Sequence, residues 1–133
     1  MSAALRPPQG GMPPPEDATL ADGSVLELRP LASEICRRYR AEYPDEQGRY
    51  GDAGVAWCVH DNQHILHWAV VATTHDEAVL SAQITWLAGI LGARGFPLER
   101  LVRDLELAAD VVRGRAPAVA DVLLAARTAV PLT

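Results

Sequence analysis

The sequence contains no lysine, because all twelve of its basic residues are arginine. This absence excludes every site that depends on a lysine side chain, such as a Schiff base or the phosphate-binding lysine of a P-loop. The sequence also lacks any run of the ~18 consecutive apolar residues that a membrane span needs, and its first residues lack the apolar segment of a signal peptide. We therefore predict no membrane partner and a cytoplasmic location.

Cysteine is scarce as well, with only Cys36 and Cys58 in the chain. Two cysteines without CxxC spacing are too few for a disulfide framework, so the sequence indicates a reducing compartment. Free cysteine is among the residue types that are most often buried in protein cores. We therefore predict two buried, unreactive thiols.

The surplus of acidic over basic residues gives a net charge of −5 and an isoelectric point near 5.3. This charge removes the broad attraction for nucleic acid that a basic surface provides. We therefore predict no nucleic-acid partner, and we interpret the cluster of Arg37, Arg38 and Arg40 as a solvated helix face.

The length and the apolar content favour one folded domain, since 49% of the 133 residues are hydrophobic and a single core of this size is ordinary. Residues 1–18 are dense in proline and glycine, which predicts a flexible, disordered leader. A docking peptide for another protein is the alternative interpretation of this segment. Residues 19–133 are predicted to form a helical bundle domain, and segment 25–28 fits either a helical extension or a short strand.

Helical periodicity begins at Pro30 and continues through most of the chain. Capping signals, glycines and prolines predict where each helix begins and ends. The first helix is predicted from Pro30 to before Pro44, and a loop follows over 44–52. The second runs from an Asp52 cap to about Ala72, and the third from a Thr74–Glu77 capping box to Gly95. The fourth runs from Pro97 to Gly114 and the fifth from Pro117 to Pro131. The fourth has the clearest one-sided apolar pattern and is interpreted as an outer helix. Because the connections are short, we predict an all-α bundle of four or five helices.

The second predicted helix is apolar along one side. Its apolar stripe consists of Val55, Val59, Leu66, Ala69 and Val70, which should face the core. Asn62 lies in the same stripe, and a buried amide needs hydrogen-bond partners. Asn62 is therefore either a satisfied structural group or a ligand contact.

The opposite side of the same helix carries a second set of unusual residues. Trp57, Asp61, His64 and Trp68 follow helical spacing there, although the outer side of a peripheral helix is normally polar. We therefore expect this side to be covered by another helix of the chain, by a second copy of the chain, or by a small molecule. Together with Asn62, these four residues are the candidate binding residues.

Three histidines on this helix also fit a metal site. His60, His64 and His67 are four and three residues apart, so their imidazoles could converge on one ion, with Asp61 or His75 as a further ligand. The spacing is permissive, because the chain has no HExxH motif and no cysteine pair of a zinc site. The identity of any cofactor stays unknown at this point.

Sequence signals of catalysis are sparse. The chain has no GxSxG, P-loop or GxGxxG motif. The acidic pairs Asp45-Glu46 and Asp104-Glu106 are interpreted as lying in a loop and on a solvated face, where nothing raises the pKa of a carboxyl. We therefore predict that the protein is not an enzyme.

Three segments over about residues 31–131 resemble the helical domains that accompany cobalamin-binding domains in some bacterial regulatory proteins. They read CVHDNQHILHWAV, ITWLAGILGARGFPLERLVRDLELAADVV and VADVLLAARTAV. In that pattern a polar pair, here Asp61-Asn62, precedes an aromatic-rich helix, and a tryptophan-containing helix ends in ARG before a proline and an amphipathic helix. The chain lacks an Asp-x-His-x-x-Gly motif and the Trp-x9-Glu-His signature of cobalamin photoreceptors. The resemblance implies a bacterial regulatory or sensory helical module and leaves the ligand open.

These observations together predict a small, non-enzymatic helical module with a regulatory or sensory role. We expect it to act through interaction with a protein partner or as a homodimer. The alternative is a helical bundle that binds a metal or a small ligand through His60, His64 and His67.

Overall fold

The computed structural model describes residues 13–132 and confirms the predicted all-α bundle. The described chain contains a two-stranded sheet and five helices: β1 (Asp17–Thr19), β2 (Val25–Glu27), α1 (Leu28–Glu42), α2 (Glu46–Thr74), α3 (Glu77–Ala93), α4 (Leu98–Val112) and α5 (Pro117–Ala125). A 3-10 turn, Ala126–Ala129, follows α5. Most of the predicted leader, residues 1–12, lies outside the described residues. None of the helices within 13–132 combines the length and the apolar character of a bilayer-crossing segment.

The small sheet begins inside the segment that the sequence assigns to the leader. β1 pairs antiparallel with β2, and Ala18 and Leu26, opposite each other, are both buried in the core. The Gln63 side chain of α2 donates a hydrogen bond to the carbonyl of Pro15 at 3.0 Å. The folded part therefore starts before residue 19, and within segment 25–28 the first three residues form a strand and Leu28 begins α1. Strands of three residues are too short for periodicity to reveal them.

The predicted loop over 44–52 is wrong for its central part, because α2 already begins at Glu46. The helical path is interrupted at Gly51, whose φ of 64° and ψ of −160° are non-helical. Asp52 is not the predicted cap; its carboxylate instead accepts a hydrogen bond from Gln47 at 3.0 Å. The first turn is held from outside, since the buried Glu46 contacts Tyr39 and Arg100.

Gly51→Ala should destabilise the protein by about 1–3 kcal/mol, because the backbone conformation at this kink is one that residues with a Cβ rarely adopt. The matched control is Gly48→Ala in the same short turn. Gly48 has no positive φ and open space around its Cβ position, so its replacement should leave stability unchanged or raise it slightly. Urea unfolding of both variants checks this, and equal stabilities would contradict it.

The limits of α3 were predicted correctly at one end only. Thr74 is the last residue of α2, and the N-cap of α3 is Asp76, whose carboxylate accepts from the Ala78 amide at 2.9 Å. The Thr74–Glu77 capping box is therefore wrong. At the other end, Gly95 has a φ of 78° and the amide of Phe96 donates to the carbonyl of Leu91, which is the glycine termination that the sequence predicted.

The core lies where α1, α2, α4 and α5 meet. The predicted apolar residues of α4 and α5 are mostly buried: Leu101, Leu105, Ala109, Val112, Val119, Val122 and Leu123. α4 packs against α1 as well as α5, so its interpretation as an outer helix is wrong. In α2, Leu66, Ala69 and Val70 are buried as predicted, whereas Val55, near the kink, is 41% exposed.

Candidate functional site

The two cysteines are joined to each other. Cys36 in α1 and Cys58 in α2 form a disulfide, with their Cα atoms 6.0 Å apart. The prediction of two free thiols is therefore wrong. The cysteines stand 22 residues apart in sequence, and only the packing of α1 against α2 brings them together. Cys36 is 3% exposed, whereas Cys58 is partly accessible.

Asn62 lies one helical turn beyond Cys58 and is 2% exposed. Its Nδ2 atom donates hydrogen bonds to the Cys58 carbonyl at 3.0 Å and to Oδ1 of Asp104 at 3.1 Å. The same nitrogen is 3.6 Å from the sulfur atoms of both Cys36 and Cys58. Its Oδ1 atom is buried without a hydrogen-bond partner among residues 13–132. The amide is thus satisfied on its nitrogen side only, and the choice between a structural group and a ligand contact stays open.

Asp104 is a buried acid on α4, and its assignment to a solvated face is wrong. It is 7% exposed, and burial raises its pKa to about 7. The hydrogen bond from Asn62 opposes this rise, whereas the charge of Asp61 adds to it. Asp104 stands between Leu101 and Leu105 on the buried stripe, so helical spacing alone contains the signal that places it inside.

Asn62 and Asp104 both lie in the wall of a cavity of about 240 Å³ between α2, α3 and α4. Much of the wall is apolar or aromatic, with the following side chains: Tyr39, Tyr50, Trp57, Ile65, Leu87, Leu91, Phe96 and Leu101. Asp61, Asn62, Arg94 and Asp104 supply polar groups. The Trp57 Nε1 atom is buried and, within the described part of the chain, has no hydrogen-bond partner. A mostly apolar cavity with a few polar groups is the usual form of a small-molecule site.

A buried ionic network borders this cavity through Tyr39 and Glu46. Oε2 of Glu46 accepts hydrogen bonds from the Tyr39 hydroxyl at 3.0 Å and from Arg100 at 2.7 Å. The other arm of the Arg100 guanidinium pairs with the exposed Asp45 at 2.9 Å. Burial, followed by the charge of Glu46, raises the pKa of Tyr39 above its ordinary value. The interpretation of Asp45-Glu46 as a loop pair therefore holds for Asp45, which precedes α2, but is wrong for Glu46, the buried first residue of α2.

The predicted aromatic and histidine side of α2 borders a second hollow of about 290 Å³, between α2 and α3. Successive rings contact one another along it. Trp57 and His60 lie edge to face at 5.6 Å between centroids, as do His60 and His64 at 4.8 Å, and His64 and Trp68 are tilted at 5.8 Å. Burial lowers the pKa of His64, and the charge of His60 adds to this effect. Trp57 and Asp61 border both hollows.

The metal site predicted at His60, His64 and His67 gains no support from this arrangement. His60 and His64 face the second hollow, whereas His67 does not line it. Within residues 13–132, no group of three His, Cys, Asp or Glu side chains is placed to hold a metal ion. The metal site therefore stays a prediction from spacing alone.

The structure divides the five candidate binding residues between the two hollows. Trp57, Asp61 and Asn62 line the cavity beside the disulfide, and Trp57, Asp61, His64 and Trp68 line the second hollow. Sequence reasoning missed the disulfide and Asp104. Comparisons of the chain with protein-family models, with curated proteins and with solved structures found no match.

Proposed function

We propose that this chain is a non-enzymatic sensory module that binds a small molecule in the cavity between α2, α3 and α4. The proposal rests on the Oδ1 atom of Asn62, which has no hydrogen-bond partner among the described residues. The Asn62 side chain is 2% exposed and lies in the cavity wall. An unpaired buried acceptor costs about 1–3 kcal/mol. A bound molecule that donates a hydrogen bond to it offsets this cost.

The chemistry of the wall indicates the class of ligand. Asn62 Oδ1 needs a hydrogen-bond donor from the ligand, and the neighbouring carboxyl groups of Asp104 and Asp61 also favour a ligand that carries a donor. Trp57 Nε1 needs an acceptor, and the aromatic walls favour a flat apolar body. We therefore propose a compact, planar nitrogen heterocycle that carries both an N–H donor and a ring acceptor.

The regulatory part of the proposal comes from the sequence. The segments that resemble helical domains of bacterial cobalamin-associated regulators fall in α2, α3, α4 and α5, and they support a sensory role. The partly exposed Trp86, at 59% on α3 beside the second hollow, favours a protein contact, since exposed indoles concentrate at such contacts. We therefore include in this proposal a homodimer or another protein partner, and a cytoplasmic location. Light scattering would measure the mass of the assembly.

Two matched probes test the cavity. We expect benzimidazole to bind with a Kd of about 1 mM or tighter, since a well-buried ligand of this size reaches that range. We expect 1-methylbenzimidazole, which lacks the N–H, to bind about tenfold more weakly, because one hydrogen bond contributes about 1.4 kcal/mol. Ligand-observed NMR titration measures both constants.

The assignment of Asn62 is tested with the same probes. Asn62→Leu should bind both with similar affinity, since the acceptor is gone. Leu91→Trp, which fills the cavity from α3, should weaken both. Equal affinity of the two probes for the unmodified protein, or no saturable binding of benzimidazole, would contradict the proposal.

A further inference from the structure

The two sulfur atoms of the disulfide differ in how they can be reached. Cys58 lines the cavity and is partly accessible, whereas Cys36 is 3% exposed beneath it. Thiol–disulfide exchange requires a thiolate to approach one sulfur atom and the other to leave. Access from the cavity therefore makes Cys58 the sulfur that is attacked and Cys36 the sulfur that leaves.

The Asn62 amide lies where a leaving sulfur needs a hydrogen-bond donor. Its Nδ2 atom is 3.6 Å from the Sγ atoms of both cysteines. In the oxidised protein Nδ2 donates its two hydrogens to Asp104 Oδ1 at 3.1 Å and to the Cys58 carbonyl at 3.0 Å, and these bonds hold it in position. A thiolate is a stronger acceptor than a neutral carbonyl. One N–H can therefore turn from the Cys58 carbonyl to a thiolate on Cys36, which favours the charged form of that sulfur.

A disulfide that only joins two helices has no need of such a polar setting. Burying an amide and an acid beside two sulfur atoms costs stability unless each is fully paired, and here the amide oxygen is unpaired among the described residues. The charge and burial around the pair therefore favour a chemical role over a purely structural one.

We propose that Cys36–Cys58 is a redox-active disulfide that a small thiol opens from the cavity, with Asn62 stabilising the sulfur of Cys36 as it leaves. The thiolate of the small thiol forms a bond to Cys58 Sγ, the Sγ–Sγ bond breaks, and its electron pair passes to Cys36 Sγ. Cys36 takes up, through solvent, the proton that the attacking thiol released. A second thiol then displaces Cys58 from the mixed disulfide and gives up its own proton to it, so that the protein gains two thiols and the small thiols leave as their disulfide. In this scheme Asn62 is a positioning residue.

The test follows reduction of the folded, oxidised protein by dithiothreitol. Samples are alkylated at intervals, and intact mass spectrometry counts the modified thiols while circular dichroism monitors the fold. We expect reduction without unfolding, at a rate proportional to the dithiothreitol concentration. A rate that does not depend on that concentration, or reduction only after denaturation, would show a structural disulfide and overturn the proposal. Two free thiols after exposure to oxidised glutathione would overturn it as well.

Asn62→Leu and a matched control separate the role of the amide from a loss of packing. Gln63→Leu removes the neighbouring buried amide, which is equally 2% exposed and bonds to Pro15 rather than to sulfur. Loosened packing speeds reduction in either variant, whereas loss of the thiolate donor slows it. We expect about tenfold slower reduction in Asn62→Leu and no slowing in Gln63→Leu. An unchanged or faster rate in Asn62→Leu would overturn the assignment of Asn62.

Asn62→Ala provides a second variant if Asn62→Leu does not fold, with Gln63→Ala as its control. It removes the same N–H donor with a smaller side chain, so a slower rate is again expected and an unchanged rate would contradict the proposal. The exchange needs no ligand in the cavity. Its failure and the failure of benzimidazole binding are therefore distinguishable.

Discussion

Asp104→Asn is expected to remove a pH dependence of roughly 4 kcal/mol from the free energy of unfolding. The physical cause is the burial that raises the pKa of Asp104 from 3.8 to about 7 in the folded protein. In the unfolded chain the carboxyl is exposed and ionises near its ordinary value. The folded state therefore binds this proton more tightly than the unfolded state.

The sign of the effect follows from that difference. Below about pH 4 the carboxyl is protonated in both states, and Asp104 contributes no pH dependence. As the pH rises from 4 to 7, the unfolded state ionises first, so the stability of the folded state falls. Above about pH 7 the full cost of a buried negative charge is present. Asparagine has nearly the same shape, stays neutral, and can still accept the hydrogen bond from Asn62.

We therefore expect Asp104→Asn to match the unmodified protein at pH 4 and to exceed its stability at pH 8. Urea unfolding at several pH values measures the difference between the two proteins. Asp110→Asn is the matched control, because Asp110 is an exposed carboxylate on the same helix. Its curve should stay parallel to that of the unmodified protein. Parallel curves for Asp104→Asn as well would show that the carboxyl of Asp104 ionises normally.

Glu46→Ala is expected to cost about 3 kcal/mol of folding stability, because truncation of one partner leaves other buried polar groups without compensation. The side chains of Glu46 and Arg100 are 6% and 14% exposed, and the Tyr39 hydroxyl bonds to the same carboxylate oxygen. Removing the carboxylate leaves that hydroxyl and one arm of the guanidinium unpaired. The first turn of α2 also loses its buried ion pair with α4 and keeps only the exposed pair of Asp45 with Arg100.

The control uses the second carboxylate on the same guanidinium. Asp45 bonds to Arg100 at 2.9 Å, but its side chain is 46% exposed. Asp45→Ala should therefore cost at most about 1 kcal/mol, as is usual for solvent-exposed ion pairs. Urea or thermal unfolding compares the two variants. Equal losses would show that burial does not distinguish the two pairs.

The helices that the sequence predicted best are those whose pattern is local and regular. In α4 the apolar spacing, the proline at the start and the glycine at the end gave the correct limits within two residues, and α5 begins at Pro117 as predicted. The predicted end of α5 at Pro131 is wrong, because the α-helix ends at Ala125 and a 3-10 turn, Ala126–Ala129, follows it. The end of α3 at Gly95 was equally clear. The part of α2 before the kink at Gly51 was missed because polar residues surround Glu46, and its helical turn depends on contacts with Tyr39 and Arg100 from other helices.

The candidate site was predicted only in part. Asn62 was recognised as a buried amide because it interrupts an apolar stripe, and Trp57 and Asp61 because they repeat at helical spacing on the other side. The disulfide was missed since cysteines 22 residues apart give no local signal. Asp104 was misplaced because its acidic type was given more weight than its position between Leu101 and Leu105.

The amino-acid sequence by itself determined a helical domain, the positions of most helices and the unusual character of both sides of α2. These properties depend on interactions within a few turns of one helix, which spacing and capping residues encode directly. Only the tertiary structure decided that Cys36, Cys58, Asn62 and Asp104 form one cluster beside a cavity. The relative rotation and depth of α1, α2 and α4 set those distances, and they result from packing of the whole core rather than from any local pattern.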